Sequence, residues 1–315
     1  MMKYQTGSYS SSENLLQLVK DKLVAEGWTA DSHVYVDATD ATFGKRLHLR
    51  RGDVFVSLRN FDDYDPARDV KALGFGKTGI DIRVSTGYSA SSVWYEQPGF
   101  SSIGRYVQTG ASGVYHLFTD ASKVVLVVEY ETGRYSHVLF GWLNTHVAGT
   151  GGQFLAGTQG AKFAEWSVPF DTSTDTTSVR VVKSDYTGWL TNDSYVANQG
   201  ICPSFSSSNL VRVPNFSPGS TSQIGSLGSS ARSSNRLNGL SGLMPIYMYV
   251  KHSGAWCPYS EFSDLFFVNC DLMAAEQDYV VGDQTFKILP FLGKQIPAVR
   301  TGPLYQLGLA VKIDV

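Results

Sequence analysis

The chain has 315 residues, enough for about two domains or one large β-domain with a sizeable core, which excludes a disulfide-stapled mini-protein. Its 26 basic and 28 acidic residues give a net charge of -2, excluding a global electrostatic pull toward nucleic acid or an anionic membrane. Charged residues make up only 17% and aromatics reach 13%, a balance that suits β-rich proteins burying surface against neighbours.

The amino terminus has no apolar signal-like run, and the longest aliphatic run, Val124 to Val128, is far too short to cross a bilayer, so the expectation is a chain made soluble in a cytoplasm. The first regular element is "SSSENLLQLVKDKLVAEGW". Ser10 and Glu13 have capping-box spacing, Leu16, Val19 and Leu23 recur on one helical face, and Gly27 supplies a left-handed cap. The period then changes to two: "LHLRRGDVFVSLR" predicts a hairpin turning at Arg51, Gly52 and Asp53, with Val54, Val56 and Leu58 on one face.

Residues 60 to 79 combine a dense acidic group with turn-formers and read as an exposed excursion before "IDIRVSTGY" resumes the extended pattern. Between 113 and 143 lie three strand-like runs, separated by turns at 119–122 and 131–133. The run Val124 to Val128 lacks alternation, which predicts a central strand buried on both faces. Residues 203 to 242 are rich in serine and glycine and poor in apolar content. Strands return at "MPIYMYVKH", "DLFFVNC", "DQTFKILPF" and "YQLGLAVKI", the last with Leu307, Leu309, Val311 and Ile313 facing one way. The expected fold is mainly β, an antiparallel sandwich or barrel-like body with one amino-terminal helix. Residues 1–200 hold the helix and main β-domain and 201–242 a serine- and glycine-rich excursion; 243–315 complete that domain or form a smaller second one.

Several constellations invite chemistry. His116, His137 and His146 would make a zinc set if their strands paired, but their spacing matches no short metal motif, and half-buried structural histidines are the simpler reading. The glycines from Gly149 to Gly152 are not a phosphate loop, because Gln153, Phe154 and Leu155 follow where a lysine and a helix are required. Asp62, Asp63, Asp65 and Asp69 lack the twelve-residue calcium-loop pattern and read as a solvated acidic surface. Arg50, Arg51 and Arg59 are too few for a nucleic-acid groove, and no serine sits in Gly-x-Ser-x-Gly. Cys202, Cys257 and Cys270 are an odd, widely spaced set that fits free thiols in a reducing compartment. No catalytic residues, metal or cofactor are expected.

One resemblance runs along most of the chain. "YQTGSYSSSENLLQLVKDKLVAEGWT", "LHLRRGDVFVSLR", "STGY", "QPG", "VYHLFTDASKVVLVVEYETGRYSHVLFGWL", "AGTGGQF", "LMPIYMYVKHSG", "GDQTFKILPF" and "GLAVKI" follow one another in this order. Together they resemble a family of structural virion proteins of tailed bacteriophages. The resemblance implies a non-enzymatic component of the neck, collar or tail, assembled in the host bacterial cytoplasm. Its expected partners are other virion proteins and further copies of itself, with no nucleic-acid sequence recognition and no membrane. On this reading "AGTGGQF" is a surface loop in which Gly149, Gly151, Gly152 and Phe154 meet a neighbouring subunit. The competing reading is a tail-spike-like protein that binds or cleaves glycans, with Trp94, Trp142 or Trp189 stacking on sugars and Asp62 to Asp65 supplying carboxylates.

Overall fold

The computed structural model describes residues 1–61, 78–101, 104–144, 150–157, 179–183, 189–191, 211–212, 241–252, 255–270, 272–291 and 307–314. In chain order the first half comprises β1 (Lys3–Tyr9), α1 (Ser12–Ala25), β2 (Thr29–Tyr35), β3 (Lys45–Arg51), β4 (Val54–Phe61), β5 (Gly79–Ser85) and β6 (Arg105–Gln108). The middle supplies β7 (Gly113–Thr119), β8 (Lys123–Glu131), β9 (Arg134–Trp142), β10 (Thr150–Gly157), β11 (Val179–Lys183), β12 (Trp189–Thr191) and β13 (Val211–Arg212). The last part adds β14 (Met244–His252), β15 (Ala255–Asn269), β16 (Asp278–Val281), β17 (Gln284–Pro290) and β18 (Leu307–Ile313).

The protein is mostly β, with three antiparallel sheets and, among the described residues, one α-helix. The amino-terminal sheet runs β2-β3-β4-β5-β6, the central sheet β1-β7-β8-β9-β10-β11-β12, and the carboxyl-terminal sheet β13-β14-β15-β18-β17-β16. An isolated parallel bridge from Met2 to Ile313 joins the start of the central sheet to the end of the carboxyl-terminal one.

The helix forms as its periodicity requires, with Leu15, Leu16, Val19 and Leu23 buried. Its cap is Ser11, one residue later than expected: the Ser11 hydroxyl accepts from the Asn14 amide, while the Asn14 side chain accepts from the Ser10 amide. Asn14 thus takes the reciprocal part that the sequence assigned to Glu13, which instead pairs with Lys45 at 2.6 Å. At the other end Gly27 has φ +90, Trp28 donates to the Leu23 carbonyl and Gly27 to that of Val24, the paired bonds of a Schellman cap. The β3–β4 hairpin also forms as expected, with Arg51 opposite Val54 and positive φ at Gly52 alone of the two turn residues.

The central sheet is shared between two cores. Val124, Leu126 and Val128 of β8 join the helix and the amino-terminal sheet, whereas Val125 and Val127 join Leu265, Leu309 and Val311 of the carboxyl-terminal sheet. All five β8 side chains are fully buried, which explains the missing alternation: both faces of the strand meet apolar surface. Leu309, Val311 and Ile313 face the second of these cores, as their spacing predicts. Phe140 and the partly buried Trp142 lie together on the helix side of β9, Phe140 making an edge contact with Trp28 at 5.8 Å.

One expectation fails here. The glycine-rich surface loop is in large part β10, a strand paired to β9 and β11. Three β10 residues, Gly151 to Gln153, stand against Val182 alone, so the glycines serve a β-bulge. A β-carbon on Gly152 would lie 2.4 Å from both the Leu143 carbonyl and the Trp142 ring, and Phe154 is wholly buried in the core against Phe262. Neither residue has surface left for a neighbouring subunit; Gly149 lies outside the described residues. The acidic group at 62–69 and nearly all of the 201–242 excursion lie outside them as well.

Candidate functional site

The face of the central sheet that meets the carboxyl-terminal sheet carries a polar row. Strand register places Thr6 opposite His116, His116 opposite Val127, and Val127 opposite His137, so the two histidines share one line across β1, β7, β8 and β9. Two of the three histidines weighed as a zinc set, His116 and His137, are therefore aligned, with the Val127 strand between them. His146 lies outside the described residues, and among the described residues no group of three or more potential ligands could hold a metal ion.

Both histidines reach across to the same hairpin, β16–β17, and the segment leading into it. The His116 ring lies with Nδ1 2.9 Å from the Tyr4 hydroxyl and Nε2 3.4 Å from Glu276 Oε1. With the imidazole proton on Nε2, toward the carboxylate, Nδ1 accepts from the Tyr4 hydroxyl. Tyr135 donates to the same Glu276 oxygen at 2.8 Å. Lys287 donates to the Glu276 carbonyl at 2.8 Å and to Asp278 at 2.9 Å, and its ammonium stands 5.2 Å from the Tyr4 ring centre. Glu276 has a φ of +61, a left-handed backbone that a side chain rarely adopts. Its own amide donates to the Ile288 carbonyl, so main-chain and side-chain bonds together hold it there. His137 packs edge-on against Phe291 at 5.4 Å and bonds to the Leu289 backbone.

Burial governs the titration of this row. His116, only 1% exposed, is held below the usual imidazole range by desolvation, with Glu276 opposing the shift and Lys287 adding to it. His137, fully buried, is depressed to about 3 by desolvation and then by the neighbouring His116, against a weaker opposing bond to Leu289. Burial also pushes the Tyr4 and Tyr135 phenols up, Tyr135 further because it donates to Glu276. At neutral pH the row is therefore uncharged on its imidazoles, and it acts as a polar clamp between two sheets.

A second polar cluster covers the outer face of the amino-terminal sheet. The segment 86–101 returns across the sheet, tied at its base by Thr86 to Pro98 and Ser101 to Val84, and braced by Gln97, which accepts from Ser89 and donates to Val93. Within it Trp94 is 3% exposed, with the guanidinium carbons of Arg59 and Arg83 at 5.7 and 6.0 Å from its ring. Arg83 is bonded to the buried Asp81, and Arg59 donates to the Phe43 carbonyl. A tryptophan so enclosed offers no face to a sugar. Trp142 packs on the helix-side core, and the Trp189 side chain lies outside the described residues. Arg50 pairs with Asp31 and Arg51 donates to the Asp120 carbonyl, so none of the three arginines weighed from the sequence stands in a common groove.

Sequence reasoning found His116 and His137 but not their partners Tyr4, Tyr135, Glu276 and Lys287. The alignment of the histidines was computable, because the turns at 119–122 and 131–133 fix the register of β7, β8 and β9. The cross-sheet partners Glu276 and Lys287 were not, since they come from the β16–β17 hairpin and the turn ahead of it, more than a hundred residues away in sequence. No family model matches this chain, and no curated protein matches it. No helix among the described residues is long and apolar enough to cross a membrane.

Proposed function

We propose that the chain is a non-enzymatic structural subunit of a tailed-bacteriophage virion, acting in the neck, collar or tail through contacts with further copies and with other virion proteins. The ordered series of motifs along the sequence motivates the virion assignment. The observation that carries a role in assembly is the pair of exposed sheet edges. Val34 and Tyr35 at the end of β2 are 48% and 39% exposed, and Val280 and Val281 on β16 are 62% and 45% exposed. Among the described residues each pair lies on the outermost strand of its sheet, the position from which a strand can pair with another chain. Two unlike edges on one subunit suit head-to-tail contacts, which close into rings when the rotation permits.

On this reading the three sheets form a stacked, sandwich-like body whose middle layer is the central sheet. The site then does mechanical work: buried histidines, tyrosines and Glu276 fix one sheet on another so that both edges keep a set relation. Of the three tryptophans weighed for the glycan-directed alternative, Trp94 is buried.

The test is complementation of a phage lacking the gene, with particle imaging at subunit resolution. The proposal expects density for this chain at the neck, collar or tail, and loss of particles when Val280→Lys and Val34→Lys are combined. Particles that lack the chain altogether, or a purified chain that cleaves host glycans, would overturn it.

A further inference from the structure

The two exposed sheet edges are complementary to each other. Along β2 the register shifts between Ala30 and Ser32, so a bulge leaves Ser32–Tyr35 as the straight part of that edge. β16 is equally short, Asp278–Val281, and turns through Gly282 into β17. Resting on the assembly role proposed above, we infer that β2 of one copy pairs antiparallel with β16 of a second copy, Val34 beside Val280. One sheet then continues from subunit to subunit.

Register and charge carry the match. Val34 stands opposite Arg46 of β3 and shares a face with it. On β16, Asp278 and Val280 share a face by alternation, while Tyr279 between them is buried on the other. Setting Val34 against Val280 puts the second copy's Asp278 two strand spacings across from Arg46 and two residues along. That separation is about 12 Å between α-carbons, which an arginine and an aspartate side chain span together.

Both groups are suited to the contact. The Arg46 Nε is buried with no acceptor, and among the described residues its guanidinium enters no ion pair. Asp278 gives one oxygen to Lys287 at 2.9 Å, but its side chain is 57% exposed, which leaves the other oxygen for a second cation. In the same register Asp283, exposed in the turn, comes to the end of β2 that holds Arg50 and Asp31. Arg50 already bonds Asp31, so this acid meets an ion pair rather than a bare carboxylate. Like edges match less well: β2 on β2 sets two Arg46 groups on one face, and β16 on β16 does the same with two Asp278 groups.

A junction of two such short edges is smaller than a standard interface, so the free chains associate weakly and cross-linking is the suitable reading. Val34→Cys and Val280→Cys are made in separate full-length chains and mixed under mild oxidation, the native cysteines being present in every arm. The expected result is a disulfide joining positions 34 and 280 of different chains, formed in the mixture and in neither variant alone. Adding Asp278→Arg to the second variant should lower the yield by about fivefold, and adding Arg46→Asp to the first should restore it. No 34–280 link in the mixture, links between like positions in equal yield, or a yield unmoved by Asp278→Arg would overturn the inference. If Arg46→Asp does not fold, the linkage pattern and the Asp278→Arg arm decide. Because the link is read on purified chain, it can fail while particles contain the subunit, and form while they do not.

Discussion

Glu276 sets backbone strain against side-chain bonding, and its replacement by glycine separates the two. A side chain at φ +61 costs about 1–2 kcal/mol, whereas glycine adopts that geometry freely but gives up to about 1 kcal/mol through the entropy of the unfolded chain. The net backbone relief from Glu276→Gly is therefore about 0–1 kcal/mol. Against it stands the loss of the Tyr135 bond at 2.8 Å and of the acceptor facing His116 at 3.4 Å. A hydrogen bond to a charged group is worth about 1.5–3 kcal/mol, and Tyr135, 5% exposed, would keep a buried hydroxyl without that acceptor. The side-chain loss wins, and Glu276→Gly should destabilise the protein by about 2 kcal/mol. Both main-chain bonds, from Lys287 to the Glu276 carbonyl and from its amide to Ile288, survive the change, so the measurement isolates the carboxylate. Equilibrium urea unfolding is the assay, with Glu276→Gln, which leaves the backbone strain in place, as the companion expected to lose about 1 kcal/mol. A glycine variant as stable as the parent, or more so, would refute the reasoning and show that strain outweighs the seam contacts.

Other outcomes follow from the same structure. Because His137 titrates near 3 when folded and near 6.5 in an ordinary chain, its contribution is complete above about pH 6.5 and declines as the pH falls toward 3. The loss reaches about 2 kcal/mol at pH 5 and about 5 kcal/mol at the acid end, and stability curves of His137→Gln should be flatter over that window. Gly152→Val should abolish folding rather than assembly alone, since its β-carbon meets the Leu143 carbonyl and the Trp142 ring, and circular dichroism of the purified variant checks this. Gly141→Ala should cost more than about 2 kcal/mol in urea unfolding, because φ is +142 and the added carbon would stand 2.3 Å from the Ser122 carbonyl. Cys270, a buried free thiol, should react with a thiol reagent only after denaturation, and a disulfide at that residue in mass spectra would contradict it.

What the sequence disclosed depended on how local the controlling interaction was. The helix, its Gly27 cap and the β3–β4 hairpin are written in neighbouring residues, and all three form. The doubly buried β8 was legible for a related reason: five consecutive aliphatic side chains can be accommodated only where both sheet faces are covered. Strand β10 was misread because three glycines within the four residues 149–152 resemble a loop until a partner strand is known, and β11 begins more than twenty residues later. Strands β1 and β2 have no clear period, since β1 is completed by β7 from over a hundred residues away and β2 is largely open to solvent. The histidine row was half visible through turn positions, but its meaning rests on Glu276, whose left-handed backbone no local pattern announces.

The shared middle layer has a consequence for how substitutions combine. Along β8, Val125 and Val127 belong to one core while Val124, Leu126 and Val128 belong to the other, so sequence neighbours face different partners. Double-mutant cycles should therefore invert the usual intuition. Adjacent replacements such as Val124→Ala with Val125→Ala should be nearly additive, whereas Val127→Ala should couple to Leu309→Ala, more than 180 residues distant but in the same core. Energetic proximity in this protein is set by which side of one strand a residue occupies, and tolerance to multiple changes divides along that plane.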